Sequence, residues 1–252
     1  MNVLTAFSIF LAYVLVVGSK KLDDRIIGGD NALPGEFPYQ VSFRQKIGNI
    51  NVHICSGSVI SEEWSLTAAH CVSACTNNYV VVLGSNKLNS VGEIHQVVKI
   101  RVHDNYDSAN LENDVTVVKF QPDITFFSSA KIIPLRDTLP PNGANCIVSG
   151  WGLASNPSTE LSNDLKRVYV NTISLEECRA NLTDISVFDS NLCARSKTGY
   201  GVCTGDSGSP LKYLTKQIGI ASFGMSCGDG RPDVYSSVPF FKPWITEITG
   251  VV

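Results

Sequence analysis

The sequence predicts an all-β chain, with two antiparallel barrel-like units and one C-terminal helix. Short runs of Val, Ile and aromatic residues recur between Gly, Asn, Asp and Pro, the pattern of strands separated by turns. That pattern breaks at residues 138–144 and then resumes, while only the tail carries an apolar repeat of helical period. With 44% apolar residues among 252, the chain has material for a sizeable core, which sets disorder and collagen-like repetition aside.

Taken in chain order, Met1-Asn2 is followed by apolar residues 3–17, then Gly18-Ser19 and Lys20-Lys21. This reads as a secretory signal peptide over 1–19. The competing membrane anchor meets a run shorter than the ~20 residues that span a bilayer, so no stable anchor is expected. Residues 20–25 form a charged activation propeptide in which Arg25 offers a cleavage point to a trypsin-like peptidase. Ile26-Ile27-Gly28-Gly29 then reads as a new amino terminus, which makes 26–252 the mature domain and the product secreted.

Candidate strands of the first unit, about 26–138, are 39–44, 53–60, 79–83, 94–102 and 115–120. Those of the second, about 139–252, are 146–149, 165–170, 191–193, 210–213, 217–223 and 233–236, after a junction near Pro140-Pro141. Closing each unit into a barrel would protect its edges. In the tail, Val238, Phe241, Trp244, Ile245 and Ile248 predict a helix packed on the second unit, with Pro239 in its first turn and Gly250 beyond its end. Trp64 and Phe126-Phe127 read as packing residues.

A formal charge of −3 with mixed signs and no basic run argues against a nucleic-acid partner. Eight cysteines, Cys55, Cys71, Cys75, Cys146, Cys178, Cys193, Cys203 and Cys227, agree with an oxidising compartment, though their number leaves the pairing open. Zinc is the rival explanation, but no C-x-x-C pair occurs and the histidines do not fall at short ligand spacing.

Three local patterns carry chemistry: Leu66-Thr67-Ala68-Ala69-His70-Cys71, Asn113-Asp114-Val115, and Gly205-Asp206-Ser207-Gly208-Ser209-Pro210. A serine hydroxyl needs a base to take its proton during attack, histidine has a suitable pKa, and a carboxylate can orient the imidazole. The order His70, Asp114, Ser207 differs from that of an α/β-hydrolase, and Ser209 stands where a G-x-S-x-G elbow needs its last glycine.

With Ser149-Gly150-Trp151-Gly152 added, these motifs resemble the trypsin and chymotrypsin family of serine peptidases, especially its insect chymotrypsin-like and crustacean collagenolytic digestive branches. The resemblance runs from Ile26 to about Ile248 and implies two six-stranded β-barrels of the chymotrypsin type. It makes His70 the general base and then acid, Asp114 its orienting carboxylate, Ser207 the nucleophile, and the Gly205 and Ser207 N–H groups the oxyanion hole. It also sends the new Ile26 ammonium group to Asp206. Three disulfides follow by family position: Cys55–Cys71, Cys178–Cys193 and Cys203–Cys227. The usual partner of the Cys146 position is replaced by Tyr213, and a Cys75–Cys146 bond would join distant parts of the family fold. No cofactor is implied, and loop 84–93 lacks the acidic pair that would collect calcium.

For the substrate pocket, the resemblance puts Gly201 where trypsins carry their selective aspartate, and gives the walls to Ser222, Phe223 and Gly224. Asp233 falls at a second basal position, as in the crustacean collagenolytic enzymes. The expectation is cleavage of proteins and peptides after Tyr, Phe or Leu, with broad or Arg/Lys cleavage, including collagenolytic activity, as the alternative. An inactive peptidase-like binding protein is opposed by the intact His70, Asp114, Ser207 and Gly205. A digestive role is expected over a proteolytic cascade, and a macromolecular peptidase inhibitor is a candidate partner. Ser56 and Ser209 replace family glycines in closely packed places. Asn181-Leu182-Thr183 is the single glycosylation sequon.

Overall fold

The computed structural model describes residues 29–72, 76–90, 92–125, 130–153, 160–225 and 227–252. The expected leader and propeptide, Arg25, Ile26, Cys75 and Phe126-Phe127 lie outside the described residues.

The first barrel closes from β2 (Gln40–Ile47), β3 (Ile50–Val59), β4 (Trp64–Thr67), β5 (Tyr79–Leu83), β6 (Glu93–Val102) and β7 (Thr116–Gln121), in the order β2-β3-β4-β7-β6-β5. The second contains β8 (Asn145–Gly150), β9 (Lys166–Ile173), β10 (Asn191–Arg195), β11 (Pro210–Tyr213), β12 (Lys216–Phe223) and β13 (Asp233–Ser237). Its order is β9-β10-β13-β12-β11-β8, and β8 pairs back onto β9 to close the ring. All these pairings are antiparallel, so the chain has two six-stranded barrels of the chymotrypsin fold. A short β1 (Asp30–Asn31) pairs with β9, so the first described strand joins the second barrel and not the first.

Alternation explains the strands. Phe43, Val81, Leu83, Val117 and Phe120 point into the first core, and Val148, Val170, Leu192, Leu211 and Ile218 into the second. Each fully buried side chain of this kind contributes roughly 1.5–3 kcal/mol relative to exposure. Trp64 is buried in the first core, as its sequence position suggested. Its strand β4 is only four residues long and was absent from the expected set.

Two helices complete the described chain. Between β9 and β10, α1 (Leu175–Asn181) starts at Ser174, whose Oγ accepts the Glu177 N–H at 3.0 Å. After β13, α2 (Val238–Thr249) ends at left-handed Gly250, φ 73°, whose N–H reaches the Thr246 carbonyl. The helix contacts β12 and β13 of the second unit, as expected, and it also reaches the first unit. Val238, Phe241 and Ile245 join the first barrel's core, and the His103 ring lies against Phe241 and Trp244. The reason is that β13 delivers the helix at the junction, where β12 and β7 both contact it. Among the described residues, no helix is long and apolar enough to cross a membrane.

The three expected disulfides are present: Cys55–Cys71, Cys178–Cys193 and Cys203–Cys227. Cys146 is a buried free thiol in the second core, its pKa pushed up to about 12 by burial. Tyr213, partly buried, packs against the same core.

Candidate active site

His70 leaves the end of β4 on a short 3-10 turn, Ala69–Cys71, braced to β3 by Cys55–Cys71. Its backbone N–H donates to Asp114 Oδ1 at 2.9 Å, and its Nδ1 lies 2.7 Å from Asp114 Oδ2. Asp114 is fully buried while the His70 side chain is 25% exposed. The carboxylate also accepts the Ser222 hydroxyl, and its backbone carbonyl accepts Ser236 Oγ–H at 2.6 Å. A buried carboxylate is tolerated here because three donors converge on it. As an ionised acid only accepts, Nδ1 must carry the imidazole proton, which leaves Nε2 as the free base.

Ser207 comes from the second barrel. Its carbonyl accepts the Ser56 N–H at 2.7 Å, and the next residue, Gly208, presses on the segment that leads to His70. A Cβ on Gly208 would stand 2.1 Å from Thr67 Oγ1 and 2.3 Å from the Ser56 carbonyl. Gly205 is equally constrained: φ is +95°, and a Cβ there would sit 2.5 Å from Leu161 Cδ2. Among the described residues, the Gly205 and Ser207 N–H groups donate to no protein acceptor, while the neighbouring Asp206 and Gly208 N–H groups are both bonded. Two such donors on one tight turn are free to meet an acceptor oxygen brought beside Ser207.

Asp206 turns away from solvent. Gly152 N–H donates to its Oδ1 at 2.8 Å and Cys203 N–H to its Oδ2 at 3.0 Å. Burial pushes its carboxyl up to about 7, against the pull of those two bonds. Gly150 and Gly152 are required beside it, because a Cβ on either would run into the carboxylate.

A cavity of about 230 Å³ opens beside Ser207, walled by Ser222, Phe223 and Gly224 on one side and Val202 to Thr204 on the other. Gly201 and Asp233 lie behind this lining. Asp233 Oδ2 is 3.3 Å from the position of a Cβ on Gly201, and Oδ1 is 2.8 Å from one on Gly224. Among the described residues its one donor is Val202 N–H at 3.4 Å. Burial first, then the charges of Asp206 and Asp229, push the Asp233 carboxyl up to about 7. All five pocket residues read from the sequence therefore converge on one region.

His53 was missed. It sits on β3 two residues before Cys55, and strand alternation puts both on the buried face, a signal the sequence did contain. Its Nε2 bonds the Gly205 carbonyl at 3.1 Å, so Nε2 carries the proton and Nδ1 accepts from Ser42 Oγ at 2.9 Å. Arg44 Nε–H closes the series by donating to the same hydroxyl at 2.9 Å. Burial, helped by the Arg44 charge, pushes the His53 imidazole down to about 4 and keeps it neutral. Sequence-expected Asn181 is exposed at the end of α1, with its Nδ2 on the Glu177 carbonyl. Of the described residues, Cys55, His70 and Cys71 are the one group with metal-ligand proximity, and the two sulfurs are joined to each other.

Two closed barrels with a histidine–carboxylate pair from one and a serine-bearing turn from the other define a serine-peptidase fold of the chymotrypsin clan. The family described as Trypsin matches residues 26–245, and the chain belongs to that family. It is 36% identical to Trypsin 5G1 of Aedes aegypti, over 90% of this chain and 86% of the relative. Trypsin epsilon of Drosophila erecta is 34% identical over 89% of this chain and 88% of its own. Brachyurin of Leptuca pugilator is 35% identical over 90% of this chain and 99% of its own.

Proposed function

We propose that the chain is a secreted, digestive serine endopeptidase with a pocket that accepts Lys and Arg alongside large apolar side chains. The buried Asp114 that gathers His70 and Ser222 carries the reading, because it prepares the imidazole as a base. In the proposed cycle Ser207 Oγ attacks the scissile carbonyl while His70 Nε2 takes its proton. The oxyanion is met by the Gly205 and Ser207 N–H groups, and His70 then protonates the leaving amine. Water, deprotonated by His70, hydrolyses the acyl ester and restores Ser207.

Asp233 supports cleavage after Lys or Arg: it is a buried carboxylate with one weak donor among the described residues, directly behind the cavity wall at Gly224, and a substrate cation would compensate it. The names of the trypsin relatives point the same way. Cleavage after Tyr, Phe or Leu is the second reading, favoured by the bare Gly201 and Gly224 and by a carboxyl that becomes neutral below about pH 7. Activation would follow cleavage after Arg25 by a trypsin-like peptidase, with the Ile26 ammonium group entering to pair with Asp206. Asp206 has no cationic partner among the described residues, which supports that step.

The test is to express the precursor, cleave it after Arg25, and profile it on a mixed peptide library with Ser207→Ala as control. Cleavage after Lys or Arg that disappears in the control supports the reading. Equal hydrolysis by the Ser207→Ala protein removes it.

A further inference from the structure

On the other side of the Gly205–Ser207 turn lies a second cavity, of about 340 Å³, whose wall includes Arg44, His53, Leu161 and the amides of Asn51, Asn89 and Asn163. Its position relative to the chemistry is fixed by Gly205. The face where a Cβ would stand touches Leu161, and its carbonyl is held by His53. With the acyl half of a substrate in the cavity beside Ser222 and Gly224, as proposed above, the departing half would run past Gly205 toward this second cavity.

Arg44 is the one cation in that wall. Its Nε is committed to Ser42, which leaves both Nη groups as donors. Among the described residues no carboxylate pairs with it, and burial alone lowers its pKa, with no acidic neighbour opposing the shift. Asn163 Oδ1 accepts the Asn89 N–H at 2.9 Å, so the Asn163 amide nitrogen is left as a further donor. A half-buried guanidinium without a counter-ion, bordered by amide donors, suits a carboxylate, which it can bind through two parallel hydrogen bonds.

We propose that this cavity is a leaving-group-side subsite in which Arg44 selects substrates bearing Asp or Glu about two residues beyond the scissile bond. The inference rests on the endopeptidase reading above. Arg44 is separated from the turn by the series Gly205 carbonyl, His53, Ser42, with contacts of 3.1, 2.9 and 2.9 Å. An extended chain advances about 3.3 Å per residue, so two residues and a carboxylate side chain cover that stretch.

The test uses the full chain activated after Arg25 and peptides that share one acyl half but carry Glu, Gln or Lys as the second residue of the leaving half. A chromogenic amide with no leaving-half residues reports the chemistry alone. The parent should prefer Glu over Gln in kcat/KM by about fivefold at low salt, the scale of a partly exposed ion pair. Arg44→Gln should bring the ratio to about one, and Arg44→Lys should keep most of it. If the chromogenic amide is cleaved but Glu and Gln peptides are equivalent, or if Arg44→Gln keeps the preference, the subsite is refuted while the peptidase reading stands. If the amide is not cleaved, the peptidase reading itself falls and the subsite with it. Should Arg44→Gln fail to fold, the parent's Glu to Lys ratio decides: it should shrink in about 1 M salt, and a ratio that ignores salt overturns the proposal.

Discussion

Asp233→Asn should stabilise the protein at alkaline pH and leave it nearly unchanged in acid. The folded-state carboxyl sits at about 7 against an ordinary value of 3.8, because burial disfavours its charge. This raised value reverses the sign usual for carboxylates. Between about pH 4 and 7 the folded chain keeps a proton that the unfolded chain has lost, so stability falls as pH rises through that window. At about 1.4 kcal/mol per pH unit, the full loss is on the order of 4 kcal/mol above pH 7, and asparagine does not suffer it. Urea unfolding of Ser207→Ala and of Ser207→Ala with Asp233→Asn, at pH 4 and pH 8, isolates the effect without self-digestion. Asp206 titrates in the same range and is common to both proteins, so most of its contribution cancels, leaving its charge interaction with Asp233, which is smaller than burial. An advantage of the asparagine protein that is equal at the two pH values refutes the argument, and so does a loss at pH 8. In the catalytically intact pair, the same change should lower kcat/KM for Lys substrates by about tenfold or more relative to Phe substrates, the scale of a hydrogen bond to a charged group.

Gly205→Ala places a Cβ 2.5 Å from Leu161 Cδ2 at φ +95° and turns the N–H away from its task, so kcat should fall by about 10²–10³ in single-turnover acylation. Ser222→Ala removes one of the donors on buried Asp114; kcat/KM should drop by about tenfold while the three disulfides still form, as peptide mapping will show. Ser209 Oγ is fully buried with no partner among the described residues, so Ser209→Ala in the Ser207→Ala background should raise stability by about 1 kcal/mol, read as a higher urea midpoint at unchanged slope. Unchanged or lower midpoints would mean that the hydroxyl has a partner after all.

The strands were legible where a short apolar or β-forming run is set off by turn residues, as in Tyr79–Leu83 and Pro210–Tyr213, whose bounds agree at both ends. Trp64–Thr67 was lost because it is only four residues long and carries no run of Val and Ile to mark it. The helix at Leu175–Asn181 buries only Cys178, so it has no apolar stripe to betray it, yet Ser174 and Glu177 stand at the spacing of a capping box. Within the site, residue types and order pointed to His70, Asp114 and Ser207, but the histidine's proton location depends on Asp114 lying 2.7 Å from Nδ1. The His53 series was illegible as a unit, since it joins Ser42, Arg44, His53 and Gly205 across 163 positions of chain. Only pairing of β2 with β3, and of the first barrel with the second, brings those groups together.

The contacts that assemble the site are polar and cross from barrel to barrel. Ser58 Oγ–H reaches Gln217 Oε1 at 2.7 Å, Ser149 Oγ–H reaches Gln40 Oε1 at 2.7 Å, and Ser236 reaches the Asp114 carbonyl. All of these residues are buried. An apolar interface would tolerate sliding by a fraction of an ångström, whereas a buried hydroxyl displaced from its acceptor loses its bond and recovers no water in exchange. The two barrels are thereby held in one register, which a base on one barrel and a hydroxyl on the other require for proton transfer. It follows that Ser58→Ala and Ser149→Ala, far from the reacting atoms, should each leave a buried glutamine atom unpaired and lower kcat more than they raise KM. A pure loss of stability, with kcat unchanged in the folded fraction counted by active-site titration, would show that register is held by other contacts.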